Sequence, residues 1–218
     1  MSMLDLSAVA PSTGNYKPLF VIAVEGDVTE VNYFNFIQQK LDEAVVSIEI
    51  VPPKTKSAPI HVLQKLKDKK IQNIGKVGTF FYWMVIDRDK TKQQQITTVV
   101  NDCKTEGFGL CVSNPAFEYW LLLHFEDGNG VVFAETSHRT IGRKECSKRL
   151  RQLKYLPGFD NQKNGKKLKN THCISLWDKR DDAVKRANQQ DTPPCPDYPR
   201  NKCGTTIYRL VKELLRYT

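Results

Sequence analysis

Hydrophobic positions in the first 125 residues alternate between two patterns. Short, almost wholly apolar runs predict strands at 19–24, 45–51, 79–86 and 107–113. Between them, apolar residues recur at helical spacing, and Thr29, Pro59, Thr91 and Pro115 each begin a predicted helix, with Thr29 as its cap. Continuous apolar runs are typical of central strands in a parallel sheet, and strand–helix alternation indicates helices on both of its faces. The predicted fold class is therefore α/β, with about four parallel strands.

The pattern changes after about Gly128, where Pro and Gly pairs interrupt the chain. Helices are expected near 143–154, 174–188 and 203–217, and the last has an apolar face that should pack back on the core. Residues 189–200 are expected to form an exposed loop. We therefore predict an α/β core over 1–127 and a basic, mostly helical extension over 128–218.

Charge is distributed very unevenly along the chain. Its 33 Lys and Arg exceed its 24 Asp and Glu by nine. Residues 138–186 contain 15 basic and 5 acidic residues, so they carry +10 and leave −1 for the rest. A concentrated positive segment suits a polyphosphate partner such as nucleic acid, although a solvated basic surface is the simpler alternative.

Length and composition are those of an ordinary globular protein. The chain has 218 residues, of which 40% are hydrophobic, and none of its apolar runs is long enough to span a membrane. Its first 15 residues lack the basic start and apolar centre of a secretory signal, so a cytoplasmic protein is expected. Its six cysteines form no closely spaced pair and give little sign of zinc.

Acidic residues follow two of the predicted strands. Glu25 follows the first strand and Glu30 lies in the next helix, while Asp87 and Asp89 follow the third strand. Ligands of parallel sheets bind at this carboxyl edge, and grouped carboxylates repel unless a cation offsets them. Each acidic motif alone is more typical of a turn or a helix cap than of a metal site. Together they predict a site for Mg²⁺ or Mn²⁺, which prefer oxygen ligands.

Three segments resemble the RloB-like family, a divergent branch of the Toprim superfamily. They are VEGDVTEVNYF at 24–34, IDRD at 86–89 and SNPAFEYWLLLHF at 113–125. The resemblance covers about 19–125 and resumes at TTIYRLV, 205–211. The Ser-Asn-Pro-x-Phe-Glu block is its most specific part, and the basic segment resembles no motif that we can name.

The resemblance implies a Toprim-like, Rossmann-type core that acts on phosphodiester bonds. Glu25 would be a general acid or base or a metal ligand, and Asp87 and Asp89 would be metal ligands. Glu30 would be the second acid of the first motif, one residue farther from Glu25 than the pattern has it. Glu118 could complete a second metal site. The family's association with restriction and anti-phage loci also implies an ATPase partner by analogy.

Basic residues supply the candidate nucleic-acid contacts. Arg88 and Lys90 flank the acids and could hold the scissile phosphate or merely balance local charge. The other candidates lie in the basic segment: Arg143, Lys148, Lys163, Lys166, Lys167 and Lys169. His124 follows three leucines, so a core histidine is favoured over a proton shuttle.

Three functions are consistent with these observations. The first is a metal-dependent nuclease of Toprim type in bacterial anti-phage defence, with DNA, RNA and tRNA all open as substrates. The second is a non-catalytic module that binds nucleic acid or an ATPase partner. The third, a nucleotide-sugar transferase, is weaker because it leaves Glu25 and the basic segment unexplained.

Overall fold

The structure is a computed structural model that describes residues 16–53, 58–88, 91–131, 141–159, 167–191, 198 and 202–218. Within these ranges, no helix combines the length and the apolar character that crossing a membrane requires.

The first part of the chain alternates strands and helices, as the hydrophobic pattern predicts. Its strands are β1 (Leu19–Val24), β2 (Ser47–Val51), β3 (Phe80–Asp87) and β4 (Gly109–Asn114). Its helices are α1 (Thr29–Gln38), α2 (Pro59–Gln72), α3 (Gln93–Glu106) and α4 (Phe117–Leu123). The later described elements are α5 (Ile141–Gln152), α6 (Asn170–Asp178), α7 (Arg180–Gln190), β5 (Gly204–Thr205), α8 (Ile207–Leu214) and a short 3₁₀ turn (Leu215–Tyr217).

The strands form one five-stranded sheet in the order β2-β1-β3-β4-β5. Strand β1 pairs in parallel with both β2 and β3, and β3 pairs in parallel with β4. The predicted four-stranded parallel sheet is therefore confirmed. Strand β5 was not predicted: it is only two residues long and pairs antiparallel with the end of β4.

The two faces of the sheet carry separate apolar clusters because side chains alternate along each strand. In β1, Phe20, Ile22 and Val24 face one cluster, whereas Val21 and Ala23 face the other. Helices α2 and α3 cover the second cluster, and α1 and α4 contribute to the first. Helices cover both faces of a sheet of this kind, so a binding site is expected where the strands end.

The described helices after residue 128 share the apolar cluster of α1 and α4. Leu150, Leu176, Ala183 and Leu210, one from each helix, are all buried in it. The return of the last helix to the core is thus confirmed. The division into a core over 1–127 and an extension over 128–218 stays a prediction.

Some predicted boundaries are wrong. Thr29 is the first residue of α1 rather than its cap, since Val28 precedes the helix and no side chain caps it. The single helix expected over 174–188 is two helices that meet at Lys179, with Asp181 and Asp182 in the first turn of α7, where acidic residues favour a helix start. Most of the loop expected over 189–200 lies outside the described residues.

Candidate functional site at the carboxyl edge of the sheet

The carboxyl ends of β1, β3 and β4 form one edge, and acidic residues gather there. Glu25 follows β1, Asp87 is the last residue of β3, and Glu118 lies in the first turn of α4, just after β4. The register pairs Val24 with Val85, so the ends of β1 and β3 are level. Asp87 and Glu118 are 5% and 1% exposed, so both carboxylates are held inside the protein.

Hydrogen bonds tie these three strand ends together at Asp87. Its backbone N–H donates to Oε2 of Glu25 over 3.0 Å. Its Oδ1 accepts the backbone N–H of Phe117 at 2.8 Å, which satisfies a free donor at the start of α4. The motif that is most specific in the sequence, Ser113 to Glu118, therefore carries the chain from β4 directly into the acidic edge.

Arg143, in the first turn of α5, places its guanidinium between two of the carboxylates. Its Nη2 donates to Oδ2 of Asp87 at 2.9 Å, and its Nε lies 3.2 Å from both oxygens of Glu118. The side chain of Arg143 is 22% exposed, so this cation reaches from the protein surface to the buried acids. It was predicted to contact nucleic acid, but its guanidinium is paired within the acidic cluster.

Burial raises the pKa of Asp87 well above its usual value, because a buried carboxylate loses the hydration of its charge. Arg143 opposes this shift. The negative charges of Glu30, Glu25 and Glu118 add to it. Glu25, Glu30 and Glu118 are therefore all close enough to Asp87 to act on it electrostatically, as the sequence predicts for strand ends that meet at one edge.

Glu30 also belongs to this edge. Its side chain is buried, and its carboxylate lies against the Cα of Gly26. A Cβ at residue 26 would lie only 2.0 Å from Oε2 of Glu30. Glycine is therefore required here for the acidic side chain to keep its position after the first strand.

The donor chemistry of the cluster fits Mg²⁺ or Mn²⁺, since every candidate ligand atom is a carboxylate oxygen. Within the described ranges, however, no three Asp, Glu, His or Cys side chains are arranged as a group that could hold a metal ion. Asp89, a predicted ligand, lies outside the described residues, as does Lys90. Metal binding therefore stays a prediction.

The family comparison agrees with the motifs at this edge. The model of a family described as RloB-like protein matches residues 20–214, which is most of the chain. The chain belongs to the RloB-like family. Neither a curated protein nor a solved structure matches it.

Arg88 of this RloB-like protein points its guanidinium at the start of α3. It donates to the backbone oxygen of Thr91 and, at 3.3 Å, to Oε1 of Gln93. Its two predicted roles, holding the scissile phosphate and balancing local charge, both stay predictions. The two contacts connect Arg88, just after β3, to the start of α3.

Three of the predicted nucleic-acid contacts, Lys148, Lys167 and Lys169, are exposed. Lys148 lies on α5, the helix that carries Arg143, and Lys169 directly precedes α6. Lys163 and Lys166 lie outside the described residues. We call Lys148, Lys167 and Lys169 the basic surface.

His124 is a core residue, as favoured from the sequence. It is fully buried; its Nδ1–H donates to the backbone oxygen of Trp120 at 3.0 Å, and its Nε2 lies 3.4 Å from the Tyr33 hydroxyl. Burial lowers its pKa from 6.5 to about 4, so the ring is neutral in the folded protein. Both of these partners belong to the apolar cluster and not to the acidic edge.

The buried neutral His124 should make the protein less stable in acid. Between pH 6.5 and 4 the unfolded chain binds a proton that the folded protein excludes, so stability falls as the pH falls. From pH 7 to 4 the free energy of unfolding should drop by about 3 kcal/mol through this residue. Urea unfolding of the wild type and His124→Gln across this range isolates the effect, and parallel profiles would contradict it.

Proposed function

We propose that this RloB-like protein is a metal-dependent nuclease of Toprim type that cleaves phosphodiester bonds in nucleic acid. Membership of the family and the α/β fold with a parallel sheet support this proposal. A role in anti-phage defence, together with an ATPase partner, extends the proposal on the strength of the resemblance alone.

The observation that carries the proposal is the convergence of carboxylates at one sheet edge. Glu25, Asp87 and Glu118 come from separate elements, and Asp87 is the centre that Glu25 and Phe117 both contact. A buried group of like charges is costly to fold, so its presence is best explained by a function that needs it. Oxygen-only ligands, in a chain that also exposes the lysines of the basic surface, suit phosphate chemistry.

Each residue has a distinct role in this proposal. Glu25, Glu30, Asp87 and Asp89 would hold Mg²⁺ or Mn²⁺, which when bound would supply charge neutralisation at the phosphate and acidify a water molecule. Glu25 would also accept or return a proton, because it is the least buried of the described acids at this edge. Burial of Glu118 and Asp87 keeps bulk water from these carboxylates. The basic surface would hold the nucleic-acid backbone.

Reversing charge on the basic surface should weaken nucleic-acid binding in a salt-dependent way. The triple variant Lys148→Glu, Lys167→Glu and Lys169→Glu removes three exposed cations. The slope of log affinity against log salt should become shallower by about one unit for each phosphate that the variant no longer neutralises. Fluorescence anisotropy over a salt series measures this slope.

Lys76→Glu is the control for a charge reversal elsewhere, with one site changed against the three of the triple variant. Lys76 is exposed in the turn before β3, at the opposite end of the strands from the acidic edge. The Lys76→Glu variant should leave the slope of log affinity against log salt unchanged. Equal slopes for the wild type and the triple variant would exclude the basic surface as the binding surface.

A non-catalytic module remains the second candidate, and one observation favours it. Arg143 already pairs with Asp87 and Glu118, so part of the acidic cluster is neutralised from within the chain. A protein of this kind would bind nucleic acid or an ATPase partner at the same surface without cutting.

A cleavage assay separates the two candidates. Purified protein is incubated with labelled tRNA, single-stranded RNA, plasmid and single-stranded DNA, in Mg²⁺, Mn²⁺ or EDTA. A nuclease cuts at least one substrate with metal and none in EDTA, and the Glu25→Ala/Asp87→Ala double variant abolishes the cutting. Tight binding without metal and no cutting of any substrate would favour the non-catalytic module.

A further inference from the structure

Arg143 connects the basic, later part of the chain to the acidic edge. It lies in the first turn of α5, whose cysteine and leucine side chains are anchored in the apolar cluster beneath α4. From this fixed helix the guanidinium reaches Asp87 on β3 and Glu118 on α4. Arg143, on α5, therefore connects β3 and α4.

The guanidinium occupies oxygen atoms that a metal ion would need. Of the two oxygens of Asp87, Oδ1 accepts the Phe117 N–H and Oδ2 accepts Arg143. Both oxygens of Glu118 are 3.2 Å from Nε of Arg143. A divalent cation at Oδ2 of Asp87 would lie next to a guanidinium of like charge in a region of low dielectric, where repulsion is strong.

We propose that Arg143 is a built-in cation that competes with the divalent metal for Asp87. This inference rests on the proposed function, because it concerns the same metal site. With metal at Asp87, the Nη2 bond is released while Glu118 retains Nε. The guanidinium then turns toward its exposed side, where it can pair with a phosphate of the nucleic acid.

Competition predicts the direction in which metal affinity changes when Arg143 is replaced. A competing cation weakens metal binding, so its removal should strengthen it. A residue that only contacts the phosphate should leave metal affinity unchanged without nucleic acid. A residue that only orients the carboxylates as ligands should weaken metal binding when it is removed.

The test measures Mn²⁺ binding to the full chain without nucleic acid. Isothermal titration calorimetry and the EPR signal of free Mn²⁺ both report this binding. Arg143→Met should bind Mn²⁺ at least about tenfold more tightly than the wild type, since both a competitor and a repulsive charge are removed. Arg149→Met is the matched control. Arg149 lies on the same helix but pairs with Glu126, so its variant should bind like the wild type.

The outcomes distinguish this inference from the proposed function. Equal or weaker binding by Arg143→Met overturns the inference, whereas metal-dependent cutting by the wild type would leave the proposed function intact. Absence of Mn²⁺ binding in both proteins overturns the metal site and the competition together.

A second measurement needs no variant, and so does not depend on how Arg143→Met folds. Hydrogen–deuterium exchange of the wild type is compared with and without Mn²⁺. Release of Arg143 from Asp87 should speed exchange of the hydrogen-bonded amides that follow the first turn of α5 (Ile141–Gln152) when the metal is added. Unchanged or slower exchange there contradicts the competition.

Discussion

Asp87→Asn should abolish cleavage while leaving nucleic-acid binding within a few-fold of the wild type. The amide keeps the shape of the side chain and an oxygen that can accept the Phe117 N–H. It loses the charge that the proposed metal site requires. Loss of several kcal/mol of transition-state stabilisation corresponds to a fall of about 10³-fold or more in cleavage rate. Single-turnover cleavage and anisotropy measure the two effects separately.

Asp102→Asn is the control for this substitution. Asp102 lies on α3 and pairs with Lys67 at 2.9 Å, away from the contacts of the acidic edge. The Asp102→Asn variant should cleave nucleic acid at the wild-type rate. If Asp87→Asn cuts nearly as well as this control, Asp87 is not a metal ligand. If it loses affinity as much as cleavage, the proposed separation between cutting and binding is wrong.

Arg143→Met should be the most destabilising single change at the site in the absence of metal. It leaves the buried carboxylates of Asp87 and Glu118 without the guanidinium that pairs with them. Removing one partner of a buried ion pair costs about 3–5 kcal/mol, and the lower end is expected here because Arg143 is 22% exposed. Urea unfolding in EDTA measures the loss.

Two further variants test the cause of this loss. Arg149→Met removes an arginine from the same helix, but the side chain of its partner Glu126 is 19% exposed, against 7% for Asp87 and 2% for Glu118, so a smaller loss is expected. Adding Asp87→Asn and Glu118→Gln to Arg143→Met removes the unpaired charges and should restore most of the stability. No recovery in this triple variant would show that the loss comes from packing, not from charge.

The strands of the sheet could be predicted because each is a short apolar run with a polar turn after it. The burial of β1 is nearly complete, as the sequence LFVIAV predicts for a central strand. The short strand β5, by contrast, has no apolar run of its own. It pairs Thr205 with Ser113, whose hydroxyls lie 2.7 Å apart, and these two residues are distant in the chain.

Helix ends were less predictable than helices. Gly107 ends α3 in a left-handed conformation that glycine adopts readily. Strand β4 therefore begins at Gly109 and not at residue 107, where the predicted strand begins. At this break Arg180 packs over the Trp177 ring, at 4.4 Å. Apolar residues continue at helical spacing across Lys179, so one helix was expected where two are found.

The acidic residues of the site could be predicted because topology alone brings strand ends together. Glu25 and Asp87 follow adjacent strands, and Glu118 follows the next one. The role of Arg143 could not be predicted in the same way. It lies 56 residues from Asp87 in the chain, and within a segment rich in arginine and lysine nothing marks it as the residue that turns inward. Its position between two buried carboxylates is visible only in the folded protein.

The most direct test of the metal site is a crystal of the protein soaked in Mn²⁺, with anomalous diffraction recorded at the manganese absorption edge. A metal centre at the acidic edge predicts an anomalous peak within coordination distance of the carboxylates of Asp87 and Glu25. A map with no peak at this edge, or with manganese bound only elsewhere, would contradict the metal site on which the proposed nuclease depends.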